Sequence, residues 1–82
     1  MELVRTPKQV GDLIRRTREK LRWSQTRLGE KAGFRQETIS EIERGNPATK
    51  IETVLIVLAA LDLELQGGPR SKGQAFDIEN LF

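Results

Sequence analysis

Over the first sixty residues, apolar side chains recur every three or four positions, in runs separated by glycine, proline and small polar residues. Val10, Leu13, Ile14, the methyl of Thr17, and Leu21 form the first stripe, with Lys8, Arg15, Arg16, Lys20 and Arg22 as its polar complement. This predicts a scaffold helix with a charged exterior. Thr6 is placed to cap it, Pro7 fits its first turn without wasting an amide, and Gln9 can close a capping box. Residues 1–5 read as an N-terminal arm. A second helix begins at Ser24-Gln25-Thr26-Arg27, where the Ser24 hydroxyl can cap the Arg27 amide, and it buries Leu28 and Ala32. Gly33 follows where the chain must turn, in a left-handed conformation that glycine adopts freely. After that corner, Gln36 to Arg44 carries Ile39 and Ile42 on one side and Gln36, Glu37, Ser40, Glu41 and Arg44 around the rest. Two apolar residues seat such a helix against its neighbours. Its other face is left for presentation.

Asn46 and Pro47 make a turn, and Thr49 followed by Glu52 is a capping box opening a fourth helix through about Leu61. Ile51, Val54, Leu55, Val57, Leu58 and Leu61 cover more of that helix than one core-facing stripe needs, which points to a second subunit. At Leu63-Glu64-Leu65-Gln66 the period changes to two, with Leu61, Leu63 and Leu65 as the every-second-residue series. A strand this short needs another to pair with, and the simplest is its equivalent in a symmetry-related copy. The alternative is a loose extension of the fourth helix packed on the core. Gly67 to Gly73 is a linker of small and polar residues. Beyond it, Phe76, Ile78, Leu81 and Phe82 stand among acidic residues in a tail too short for a core and too apolar for an inert end. This pattern suggests a peptide that docks on a partner.

Eighty-two residues make one small domain, a candidate for stabilisation by a partner. With no Cys and no His, disulfides, thiol chemistry, histidine bases and the usual soft-metal sites are excluded, and no cofactor is expected. The sequence has no long apolar run and no secretory signal, so the expected compartment is the cytoplasm. The net charge of +2 is unevenly placed: residues 1–50 hold twelve Lys/Arg against seven Asp/Glu (+5), and residues 51–82 hold two against five (−3). A polyanion is the natural partner of the basic half.

Ser24-Gln25, Leu28, Ala32-Gly33, Gln36, Thr38-Ile39-Ser40, Ile42-Glu43 and Gly45 together resemble the phage-repressor and Cro-like helix-turn-helix family. The matches span two helices and both turns. The resemblance implies an all-α fold with a compact four-helix repressor-like domain over residues 6–61, to which the residue pattern adds one short dimerising β-strand over 62–66 and a linker and tail over 67–82. Gly29 departs from the pattern, standing where the family has a small alanine between the helices. Glycine is expected to fit there while lowering helix stability by about 0.5–1 kcal/mol.

For function, the resemblance implies DNA recognition by the third helix, braced by the second through phosphate contacts. Gln36 is the prime reader because an amide donates and accepts together, matching adenine N6 and N7. Arg35 can reach a base or phosphate, Glu37 and Ser40 occupy reading positions, and Glu41 lies at the far edge. Each carboxylate can accept from cytosine N4, and is otherwise repelled by the DNA backbone. Ser24 and Gln25 resemble the family's phosphate clamp at a helix N-terminus; Arg27, Lys31 and Arg44 are further phosphate candidates. The family also implies an ion pair between Arg18 and Glu43, tying the scaffold helix to the reading helix; the alternative is an exposed Arg beside a solvated Glu. Trp23 covers the junction of the first two helices; the alternative, stacking on a base, is opposed by its place before the cap of the second helix and away from the reading face.

No enzyme emerges. Asp12, Glu19, Glu37 and Glu41 are helix-surface carboxylates without a companion nucleophile or metal set, and Gly67-Gly68 lacks the context of a phosphate-binding loop. The arrangement as a whole is similar to the antitoxins of HipA-type kinase toxin systems, with the resemblance closest over residues 6–66. It implies a homodimer that binds an inverted-repeat operator in double-stranded DNA, represses its own operon, and binds a HipA-like Ser/Thr kinase toxin, with Phe76, Ile78, Leu81 and Phe82 as docking anchors. Two other readings fit the same residues: a free-standing or phage-type repressor, and an interaction adaptor that has lost DNA binding.

Overall fold

The computed structural model describes residues 4–64, which form four helices: α1 (Pro7–Lys20), α2 (Gln25–Ala32), α3 (Gln36–Glu43) and α4 (Ile51–Ala60). Local chemistry sets the first two starts. Thr6 Oγ1 accepts from the Gln9 amide at 3.1 Å, and Ser24 Oγ accepts from the Arg27 amide at 2.9 Å. The Gln9 side chain reaches one residue beyond a capping box, accepting from the Arg5 amide at 2.7 Å. Gly33 ends α2 at φ 83°, in the left-handed region.

Ile14, Leu28, Ile39, Ile42, Val57, Leu58 and Leu61 form the buried core, drawing on all four helices. α3 packs on both α1 and α2, while α4 packs on α2. The α1 stripe is shorter than its periodicity suggests. Leu21 is 45% exposed because α1 stops at Lys20 and leaves Leu21 as the residue beyond its last turn. Near its start, α1 meets α3 backbone to backbone. A Cβ on Gly11 would lie 2.4 Å from the Ile42 carbonyl oxygen and 2.6 Å from that of Glu43. Arg18 stands two helical turns farther along the same face, and this is what brings its side chain to the end of α3.

Three expectations are corrected. α4 opens at Ile51 with Lys50 as the preceding cap residue and no side-chain capping bond, so the Thr49–Glu52 capping box does not form. Asn46 takes over that turn instead: its Oδ1 accepts from the Ala48 amide at 2.9 Å and its carbonyl from the Thr49 amide at 3.2 Å. At Gly29 an alanine would not fit this backbone, since a Cβ there would meet the Phe34 carbonyl oxygen at 2.5 Å. The turn at Gly33 folds Phe34 back over α2, with the Gly33 and Phe34 amides both donating to the Gly29 carbonyl at 2.8 Å. Finally, Leu61 is 4% exposed and belongs to the core of its own protomer. The chain then passes through Asp62 at φ 60°, and the Leu63 amide returns to the Leu58 carbonyl at 2.8 Å to terminate α4. The described residues contain no strand. Leu65 and Gln66, the linker, and Phe76, Ile78, Leu81 and Phe82 lie outside them.

Candidate nucleic-acid interface

The corner between α2 and α3 is built so that the two helices share one core and one outer surface. Leu28 and Ile39 are fully buried and Ile42 nearly so, which fixes α3 by one side only. Arg35, Gln36, Glu37, Glu41 and Arg44 are exposed on the remainder, with Ser40 half-buried among them. Glu37 occupies the first turn of α3, where a carboxylate is favoured by the helix dipole whatever else it does.

Behind this surface, Arg18 and Glu43 form a two-point ion pair. Arg18 Nε donates to Glu43 Oε2 at 2.7 Å and Nη2 donates to Oε1 at 3.0 Å, with the side chains 12% and 4% exposed. The third Arg18 nitrogen, Nη1, donates to the Trp23 carbonyl at 2.8 Å. One guanidinium therefore ties the end of α1, the start of α2 and the end of α3 together. Its pKa is raised, chiefly by the hydrogen bond to Glu43 and against the effect of burial. The paired geometry matches the family's implication. The Trp23 carbonyl is an additional anchor that sequence reasoning missed, for a main-chain acceptor carries no side-chain signal.

Gln25 was expected to face a phosphate, and the structure gives its amide two protein partners. Gln25 Nε2 donates to Glu43 Oε1 at 3.1 Å, and Gln25 Oε1 accepts from Gln36 Nε2. A chain of hydrogen bonds thus runs from Arg18 through Glu43 and Gln25 to Gln36 on the outer surface. Ser24 remains exposed at the start of α2. The other cations on α2 have local contacts: Arg27 Nη1 lies 3.6 Å from Glu30, and Lys31 Nζ stands 5.8 Å from the centroid of the Trp23 ring. Trp23 itself is half-buried and packs against the core, as its covering role requires.

A second surface is apolar. Ile51 is 64% exposed, Leu55 44% and Ile56 41%, all on α4. Ile51 also borders a groove with Val4, Pro7, Val10, Pro47 and Val54. Among the described residues there is no cluster of acidic side chains able to hold a metal ion, and no helix long and apolar enough to cross a membrane.

A helix-turn-helix family model matches residues 14–67. Two relatives, the HipB antitoxins of Escherichia coli O6:H1 (strain CFT073) and Escherichia coli (strain K12), are each 30% identical over 60 residues. The match covers 73% of this chain and 64% and 68% of theirs, so it spans about two thirds of their length. Among solved structures, a chain of a HipB–O4 20mer complex superimposes with a TM-score of 0.74 at 27% identity, covering 90% of this chain and all of that one. A chain from a HipA–HipB–O2–O3 complex gives 0.76 at 24% identity with the same coverage, a likeness of fold.

Proposed function

Because the chain belongs to the helix-turn-helix family and is HipB-like within it, we propose that it is a DNA-binding transcriptional repressor acting as the antitoxin of a HipA-type kinase toxin. The observation that carries the DNA-binding part is the one-sided burial of α3. Its apolar side is committed to the core, and its polar side presents Gln36 at the end of a hydrogen-bonded chain anchored inside the protein. In this reading Arg35, Gln36 and Ser40 meet base edges, with Glu37 at a further reading position and Glu41 at the far edge of the same surface. Ser24, Gln25, Arg27, Lys31 and Arg44 meet phosphates on either side. No catalytic role is assigned to any side chain, and the protein acts where the DNA is, in the cytoplasm.

Two copies place two recognition helices in successive major grooves and read an inverted repeat. The exposed Ile51, Leu55 and Ile56 supply apolar surface for that pairing, together with Leu63 and Leu65. The tail residues Phe76, Ile78, Leu81 and Phe82 serve as anchors for the toxin. The test is affinity capture of the protein from its native host with intact-mass analysis, beside a version ending at Ser71. A stoichiometric kinase-like partner that is lost on truncation is expected. A homodimer alone in both samples contradicts the antitoxin role and leaves a free-standing repressor.

A further inference from the structure

We propose that Glu43 is a positioning residue for base recognition: it fixes which way the Gln25 amide faces, and through it which hydrogen-bonding groups Gln36 can present. The inference rests on Gln36 reading a base. A carboxylate paired with a guanidinium is an acceptor only, so of the two ends of the Gln25 amide only the nitrogen can face Glu43. The geometry obeys this, with Gln25 Nε2 on Glu43 Oε1 at 3.1 Å. The Gln25 oxygen is then turned toward Gln36 and accepts from its Nε2. Polarity set at a nearly buried charge is thereby passed outward through two neutral amides.

The consequence lies in what Gln36 has left. One of its N–H groups is engaged by Gln25, leaving one N–H and the carbonyl oxygen for DNA. Adenine, which offers one acceptor at N7 and one donor at N6, matches that remainder, whereas guanine presents two acceptors, N7 and O6, and asks for two donors. With a neutral amide in place of Glu43, Gln25 can face either way, Gln36 regains both orientations, and discrimination at its base pair falls. Arg18 takes part by holding both carboxylate oxygens in place, at 2.7 and 3.0 Å. Neither Glu43 nor Arg18 is assigned a contact with the DNA.

The experiment measures binding of the full chain to a duplex selected from a random pool with the unaltered protein, and to every single base-pair replacement of it. Gln36→Ala first identifies the base pair that Gln36 reads. Glu43→Gln is then expected to reduce preference at that one pair by about tenfold, with preferences elsewhere and affinity for unrelated DNA within about twofold of the original. A merely structural role would lower all of these together. Because Glu43→Gln strains a buried pair, the double variant Arg18→Met with Glu43→Met, which leaves no unpaired charge, is measured beside it with circular dichroism to establish folding. The same position-restricted loss is expected from it. Folded variants that keep the original preference at the Gln36 pair overturn the positioning role while leaving base reading by Gln36 intact. If Gln36→Ala relaxes no base pair at all, base reading and the inference built on it both fall.

Discussion

Gln36 and Gly29 show what a single side chain, or its absence, decides in this molecule. Gln36→Ala is expected to cost about 1–3 kcal/mol of discrimination at one base pair, the worth of a bidentate amide–base contact, with little change on unrelated DNA. Equal losses on both would remove Gln36 from the reading surface. Gln25→Ala is expected to weaken binding to all related sites, and to release Gln36 as well, because its amide touches both Glu43 and Gln36. Gly29→Ala sets two effects in opposition. Alanine raises helix propensity by up to about 1 kcal/mol, while its methyl would sit 2.5 Å from a main-chain oxygen that cannot rotate away. Overpacking of this kind costs about 1–3 kcal/mol, so the substitution is expected to lower the thermal midpoint by several degrees. A raised midpoint in a melting experiment would mean that the Phe34 turn yields more readily than its hydrogen bonds suggest.

Among the elements, α3 owes its position to three kinds of contact, and they were not equally legible in the sequence. Ile39 and Ile42 carry a periodic apolar signal, and both lie in the core. The Arg18–Glu43 pair was legible only through family resemblance, since its partners are 25 residues apart and each looks like an ordinary helix-surface charge. Gly11 carried no signal at all, because a glycine inside a helical stripe reads as a weakness until the neighbouring backbone is seen to need the space. The start of α4 was misread for a local reason: Thr49 and Glu52 have capping-box spacing, and the Asn46 carbonyl takes the Thr49 amide that the Glu52 side chain would have capped. Glu43→Ala would leave the Arg18 guanidinium nearly buried with only the Trp23 carbonyl as partner. A loss of about 3–5 kcal/mol is expected in denaturant unfolding, and a loss below about 1 kcal/mol would mark the pair as energetically idle. The double replacement by methionine is expected to recover much of that loss, because no charge is then left unpaired.

Over the whole molecule, charge and titration make separable predictions. The chain has no His and no Cys, so no side chain has an ordinary pKa in the neutral range. Arg18 has a raised pKa, so its contribution is present below its unfolded value and is lost only as pH rises through the folded one, far above neutrality. Asp12 has a lowered pKa, chiefly from its hydrogen bond to Lys8, so its contribution is present above its unfolded value and is lost as pH falls through the folded one. Stability measured by urea titration is therefore expected to be flat from about pH 6 to 9 and to decline on the acid side. A transition near neutrality would require a titrating group that the side chains do not supply.

In the proposed function the basic half, with α3 at its surface, reads DNA sequence. The most direct measurement is fluorescence anisotropy of the full chain with its selected duplex and with a scrambled duplex of the same length, repeated across a salt series. The selected duplex is expected to bind at least about a thousandfold more tightly at physiological salt, both affinities are expected to fall steeply as salt rises, and Gln36→Ala is expected to narrow the gap. Equal affinity for the two duplexes at every salt concentration would contradict sequence reading, leaving a basic helical domain that binds nucleic acid by charge alone.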